Sequence, residues 1–283
     1  MKVRIISGTI IAVVMFALVW IGGGVLALSL CAISVIAYLE LTKATGVTAN
    51  KNKDEINLLQ WIMIGVIVLY YAILFLAGDF MFMMLLVVCS LLLLMVSYVF
   101  TYPKYSAEQV MHAYFCFVYG PVMLSFVLLT RMMSNEHDTA THIIGFFAVW
   151  MIYISAWVSD TCAYFVGVLF GKHKVTPKLS PKKSLEGCIG GVVGSALAGL
   201  LYAILLSKFG DIKEELIPVF VLLGACGSIT GQVGDLAASA IKRHYNIKDY
   251  GKILPGHGGI MDRFDSVIFT SPFIYLLAVC FFG

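Results

Sequence analysis

The apolar positions of this chain fall in long unbroken runs, not in stripes. Nine such runs stand out, at about 5–21, 24–42, 58–77, 80–101, 109–130, 143–169, 188–207, 216–238 and 264–282. A helix needs roughly 20 mostly apolar residues to cross the ~30 Å hydrocarbon core of a bilayer. A membrane barrel would instead alternate with period two, and no such alternation is found. Hydrocarbon offers no partner to backbone N–H and C=O groups, so each run must satisfy its own, as an α-helix does. The expected architecture is all-α: a polytopic membrane protein of about nine transmembrane helices, forming one membrane domain over residues 1–283. Lys2 and Arg4 before an apolar run mimic a secretion signal, but no small-x-small cleavage site follows. Gly22-Gly23-Gly24 leads straight into the next run, which predicts a helical hairpin with a tight turn.

Composition agrees. The chain is 60% hydrophobic and 12% charged, where a soluble domain has about 45–50% and about 25%. Lysine and arginine gather in cytoplasmic loops of membrane proteins. With a cytoplasmic N-terminus, sixteen of the 19 lie on that side, including Lys43, Lys51, Lys53 and Lys104. Only Arg131, Lys208 and Lys213 lie opposite. This predicts a multi-pass protein of the cell (inner) membrane with its N-terminus and its late basic loops, 171–187 and 239–263, in the cytoplasm.

The first half is chemically plain. Residues 1–140 are expected to serve as scaffold and dimerisation surface, and 141–283 as the catalytic part. Glu40 reads as an interfacial acid one turn from Lys43, a spacing that suits an ion pair. Glu136, His137, Asp138 and His142 read as a solvated outer loop. The seven cysteines, Cys31, Cys89, Cys116, Cys162, Cys188, Cys226 and Cys280, all fall in predicted spans without CxxC spacing. They read as buried apolar filler, with no zinc, haem or disulfide expected.

The second half differs. Residues 239–265 hold ten ionisable Lys, Arg, His and Asp side chains, four glycines and one proline between two apolar runs. Bases suit phosphate oxygens, carboxylates suit a metal, and glycines allow close backbone approach. Asp160 and Asp235 sit near the ends of predicted spans, where a carboxylate usually faces a cavity or a partner. Gly231, Gln232 and Gly234 surround Asp235 with small or polar groups. Magnesium takes oxygen ligands, commonly one or two carboxylates with water and phosphate, so Asp235 and Asp262 are the candidate metal ligands. Lys182 and Lys183 after Pro181, then Lys242, Arg243 and Lys248, are the candidate phosphate contacts. Arg263 joins them.

Ser239-x-Ile241-Lys242-Arg243, Lys248-Asp249-x-Gly251, and Leu254-Pro255-x-His257-Gly258-Gly259-Ile260-x-Asp262-Arg263-Phe264-Asp265 together closely resemble the signature of the phosphatidate cytidylyltransferases. Ser180-Pro181-Lys182-Lys183-Ser184-x-Glu186-Gly187, Asp160-x-x-Ala163-Tyr164 and Gly231-Gln232-x-Gly234-Asp235-Leu236 resemble that family's other motifs. The resemblance implies transfer of the cytidylyl group of CTP to phosphatidic acid, releasing pyrophosphate. It implies a magnesium site on Asp235 and Asp262, with potassium the candidate second ion, and a homodimer with a polar cavity open to the cytoplasm. It also implies catalytic roles for Lys183, Asp160 and Asp265, and substrate contacts from Lys182, Ser184, Ser239, Lys242, Arg243, Lys248, His257 and Arg263. Nucleic acid is not an expected partner. Two other readings stay open on the residues alone: a CTP-dependent polyprenol or phytol kinase, and an ion-coupled transporter with Asp160 and Asp235 in its path.

Overall fold

The computed structural model describes residues 2–48, 55–78, 80–133, 141–209, 212–253 and 258–282. The helices are α1 (Lys2–Ile21), α2 (Gly23–Ala44), α3 (Leu58–Ala77), α4 (Phe80–Thr101), α5 (Ala107–Phe117), α6 (Met123–Met132), α7 (Thr141–Phe170), α8 (Leu185–Lys208), α9 (Ile217–His244) and α10 (Met261–Phe282). Among the described residues, eight helical stretches are long and apolar enough to cross a membrane, and α1 adds a shorter apolar stretch over Gly8–Ile21. The protein is an all-α polytopic membrane protein. Its glycine hairpin is built as expected: Gly22 and Gly23 take φ of 67° and 53°, a region that costs glycine little.

Contacts divide the chain into two compact units, residues 1–125 with 244–263, and 126–243 with 264–283. In the first unit, α2 packs on α3 and α5, and α3 on α4. Asn57 and Ser106 start α3 and α5 with capping boxes completed by Gln60 and Gln109, which satisfies amide groups that a helix start leaves without partners. α5 and α6 join through a π-helical turn, Val118–Val122, containing Pro121. The irregular backbone there is hydrogen-bonded: the Tyr71 hydroxyl donates to the Pro121 carbonyl at 3.1 Å and meets the Ser34 hydroxyl at 2.7 Å. Much of α4 faces outward with large apolar residues such as Phe80, Leu92 and Phe100, as a lipid-facing helix does.

In the second unit, glycines let helices approach closely. A Cβ on Gly190 would lie 2.6 Å from Val166 of α7, and one on Gly194 would run into the Cys162 thiol. Gly224 of α9 lies against the backbone of Ser195 in α8, and Gly231 and Gly234 lie against Thr270 and Phe269 of α10. The glycines and serines of α8 and α9 therefore mark helix contacts.

Three features differ from the expectation. Residues 174–184 form a two-stranded hairpin, β1 (Lys174–Thr176) and β2 (Ser180–Ser184). α9 runs on to His244, so Ser239, Lys242 and Arg243 lie on a helix and not in a loop; basic residues are favoured at a helix C-terminus, the negative end of its dipole. The cysteines are not all buried: Cys116 is, whereas Cys89 and Cys280 lie on the surface. A small apolar thiol sits comfortably on an apolar exterior. Residues 136–138 and Lys51 and Lys53 lie outside the described residues.

The α7–α8 contact is open to test. Overpacking a tight contact typically costs about 1–3 kcal/mol. Gly190→Val should therefore lower the melting temperature in detergent. Gly65→Ala should not lower it, because nothing lies within 4 Å of a Cβ placed there.

Candidate functional site

In the second unit the β hairpin delivers the lysines. Lys174 pairs with Ser184 and Thr176 with Ser180, and the Leu179 N–H donates to the Thr176 carbonyl at 3.1 Å across the turn. Glu186 ties the base of the hairpin to α8. Its carboxylate accepts the N–H groups of Lys172 at 3.1 Å and His173 at 3.2 Å, and meets His173 Nδ1 at 2.6 Å. The Ser184 hydroxyl caps α8 by accepting the Gly187 N–H at 3.2 Å. The same residue also lines the cavity beside the hairpin. A serine or a threonine can make this cap.

Successive strand residues point to opposite faces, so the adjacent lysines separate. Lys182 is exposed; Lys183 is half-buried and its Nζ lies 2.6 Å from Asp235 Oδ2 on α9. Lys183 also donates to the backbone carbonyl of Gln232 at 3.3 Å. Gln232 is itself held by three contacts of its Nε2, to Ser159 Oγ (3.3 Å), Ser228 Oγ (3.1 Å) and the Cys188 carbonyl (3.1 Å). The amide thereby pins α7, α8 and α9 together directly beneath the ion pair. A cavity of about 430 Å³ opens beside it, lined by Asp160, Tyr164, Lys174, Lys182, Lys183 and Ser184, among others. Asp265 on α10 is half-buried, and the charges of Asp235, Lys242 and Asp160 all act on it. Asp235, Lys242 and Asp160 thus lie within electrostatic reach of Asp265, and Lys183 pairs with Asp235. Ser239 stands one turn beyond Asp235 on α9, half-buried, and Arg243 is exposed.

In the first unit, Asp262 is 7% exposed. Its Oδ2 accepts the N–H groups of Tyr250 at 2.8 Å and Gly259 at 3.0 Å. Arg263 beside it is exposed, and Lys248 lies with Lys43 and Lys252 around a separate cavity of about 720 Å³. His257 lies outside the described residues. Glu40 is not an interfacial acid turned toward Lys43. It is 6% exposed and accepts the N–H groups of Ile260 at 3.1 Å and Met261 at 2.9 Å. The signal for this was present: one acid in an apolar helix has to find donors.

Among the described residues, no three His, Cys, Asp or Glu side chains form a ready metal cage. Magnesium does not require one, since it binds through one or two carboxylates and keeps water and substrate phosphates as further ligands. Asp235, with Asp265 in electrostatic reach, fits that demand, and the lysines lining the cavity fit a polyphosphate.

Comparison with known proteins shows the family. The cytidylyltransferase family profile matches residues 2–281. The phosphatidate cytidylyltransferase of Bacillus subtilis (strain 168) is 33% identical over 289 residues, covering 99% of this chain and 98% of that protein. The enzyme of the same name from Staphylococcus epidermidis is 38% identical over 127 residues, 45% of this chain and 47% of its own length. That of Staphylococcus haemolyticus is 37% identical over 140 residues, covering 50% and 52%.

Glu186→Ala removes the acceptor for two backbone amides at the hairpin base. Cleavage by trypsin at Lys174 and Lys178 should speed up several-fold in the purified protein, with the helices intact by circular dichroism. Unchanged cleavage would show that the hairpin holds without it.

Proposed function

Because this chain belongs to the cytidylyltransferase family, we propose that it transfers the cytidylyl group of CTP to phosphatidic acid, giving CDP-diacylglycerol and pyrophosphate for phospholipid biosynthesis. The observation that carries the reading is the Lys183–Asp235 pair beside a cavity lined by Lys182 and Asp160.

The chemistry asks little of a general base. A phosphate monoester has a second pKa of about 6, so near neutral pH the lipid phosphate is already a nucleophile. Its oxygen attacks the α-phosphorus of CTP, a new P–O bond forms, and the bond to the β-phosphate breaks with its electron pair leaving on pyrophosphate. What remains is positioning and charge stabilisation. Lys183 and Lys182 hold phosphate oxygens, and Lys242, Arg243, Lys248 and Arg263 add positive charge for the nucleotide and the lipid headgroup. Asp160 and Asp265 orient these bases and support Asp235. Asp235 and Asp262 are the residues that would hold magnesium, which would supply further positive charge against the triphosphate. A site at headgroup depth lets CTP arrive from water while phosphatidate keeps its tails in lipid. In this reading the N-terminus and the segments 171–187 and 239–263 face the cytoplasm, the protein resides in the cell's inner membrane, and it acts as a homodimer.

The test uses purified protein, phosphatidic acid vesicles, magnesium and CTP labelled at either the α- or the γ-phosphate. Label from the α position should enter the lipid, and label from the γ position should leave as pyrophosphate. Label from the γ position in the lipid would indicate a lipid kinase instead. Asp235→Asn and Asp262→Asn should each lower turnover at least about 100-fold, the scale of losing one strong electrostatic contribution, and EDTA should abolish it. Both variants should elute as folded protein on gel filtration; near-normal turnover in either refutes its assignment as a metal ligand.

A further inference from the structure

The motif residues around Asp262 are held by a side chain more than two hundred positions away in sequence. A buried carboxylate is costly unless donors surround it. Glu40, near the end of α2, meets that cost with backbone amides. Its Oε1 accepts the Ile260 N–H at 3.1 Å and its Oε2 the Met261 N–H at 2.9 Å. These are amides at the start of α10, where the helix itself supplies no acceptor and the dipole favours an anion. Asp262 takes the neighbouring Gly259 N–H at 3.0 Å and reaches Tyr250 at 2.8 Å. Three successive amides, of Gly259, Ile260 and Met261, are therefore divided between two carboxylates.

The glycines complete the fit. A Cβ on Gly251 or on Gly259 would collide with the Glu40 carboxylate. Gly258 takes a φ of +85°, and a Cβ there would lie 2.9 Å from Asp262 Oδ2. Each glycine is bare where an acid presses on the backbone.

We propose that Glu40 is a positioning residue: its two hydrogen bonds and its contact with Gly251 and Gly259 fix the backbone that aims Asp262. The inference rests on the proposed role of Asp262 in holding magnesium, and it adds a residue outside the recognised motifs. Glu40→Gln keeps the size but turns an NH2 group toward a backbone N–H.

The experiment has two arms on the purified full-length protein. In the first, amide hydrogen exchange of peptides covering Gly258–Asp262 should quicken at least several-fold in Glu40→Gln, while peptides from α7 and α8 stay protected. Unchanged exchange at 258–262 overturns the proposal. This arm needs no turnover, so it stands even if the wild-type protein fails to transfer label from CTP, a failure that would count against the function alone. In the second arm, the magnesium concentration giving half-maximal turnover should rise at least 5-fold in Glu40→Gln, with the KM for CTP at saturating magnesium changed less than 3-fold. A lowered yield with unchanged magnesium dependence reduces Glu40 to a fold role and also overturns the proposal. Should Glu40→Gln fail to fold, a paired substitution decides. Gly259→Ala should be less active than the double variant Glu40→Asp with Gly259→Ala, because the shorter acid withdraws from the added methyl. A double variant no better than Gly259→Ala alone contradicts the contact.

Discussion

Lys183 and Asp235 are both drawn partly out of water at the end of a helix bundle, with their charged atoms 2.6 Å apart. Neither charge is cheap to hold there alone, because a partly buried ion that loses its partner keeps its desolvation cost. Each therefore fixes the other. The lysine sits on a strand whose turn and base are closed by hydrogen bonds at Leu179 and Glu186. The aspartate sits on α9 one turn past Gln232, whose amide links three helices. A mobile lysine on a loop would be a generic basic charge; this one is aimed.

That aim depends on the packing below it. In lipid, apolar surface gains little by meeting other apolar surface, so helices associate through small residues and polar contacts. The second unit does both. Gly190, Gly194, Gly224 and Gly231 admit neighbouring helices, and Ser159, Ser228 and Gln232 supply hydrogen bonds at the same depth. The polar groups nearest the ion pair thus belong to the helix contacts as well as to the site. The first unit uses a different device for the same end. Two carboxylates, Glu40 and Asp262, hold a turn by its amides in place of side-chain packing.

The helices were legible because hydrocarbon permits so little else: a long apolar run has one way to satisfy its backbone. Asp160, Asp235 and Lys183 were legible for a related reason, since charge beside an apolar run has to be explained. The hairpin at 174–184 was not. Its strands are three and five residues long, and with Lys174, Lys182 and Lys183 in them they lack the apolar alternation that betrays a strand. Glu40 was misread because Lys43, one turn away, offered a plausible local partner. Its true partners are backbone amides at positions 260 and 261, and no local pattern encodes a contact of that range. Ser184 reads as a substrate contact from the sequence; its hydroxyl caps α8, a second task that the sequence pattern does not single out, and the residue also lines the cavity.

The central claim is that nucleotide phosphate binds at the Lys183 side of the ion pair. The most direct measurement is the acylation rate of each lysine, followed by mass spectrometry under limiting reagent, with and without CTP and magnesium. The account predicts that Lys183 becomes several-fold less reactive when CTP is present, while Lys213, in the α8–α9 connection at the other end of α8 from the hairpin, is unaffected. A Lys183 whose reactivity stays the same at CTP concentrations that saturate turnover would place the nucleotide elsewhere.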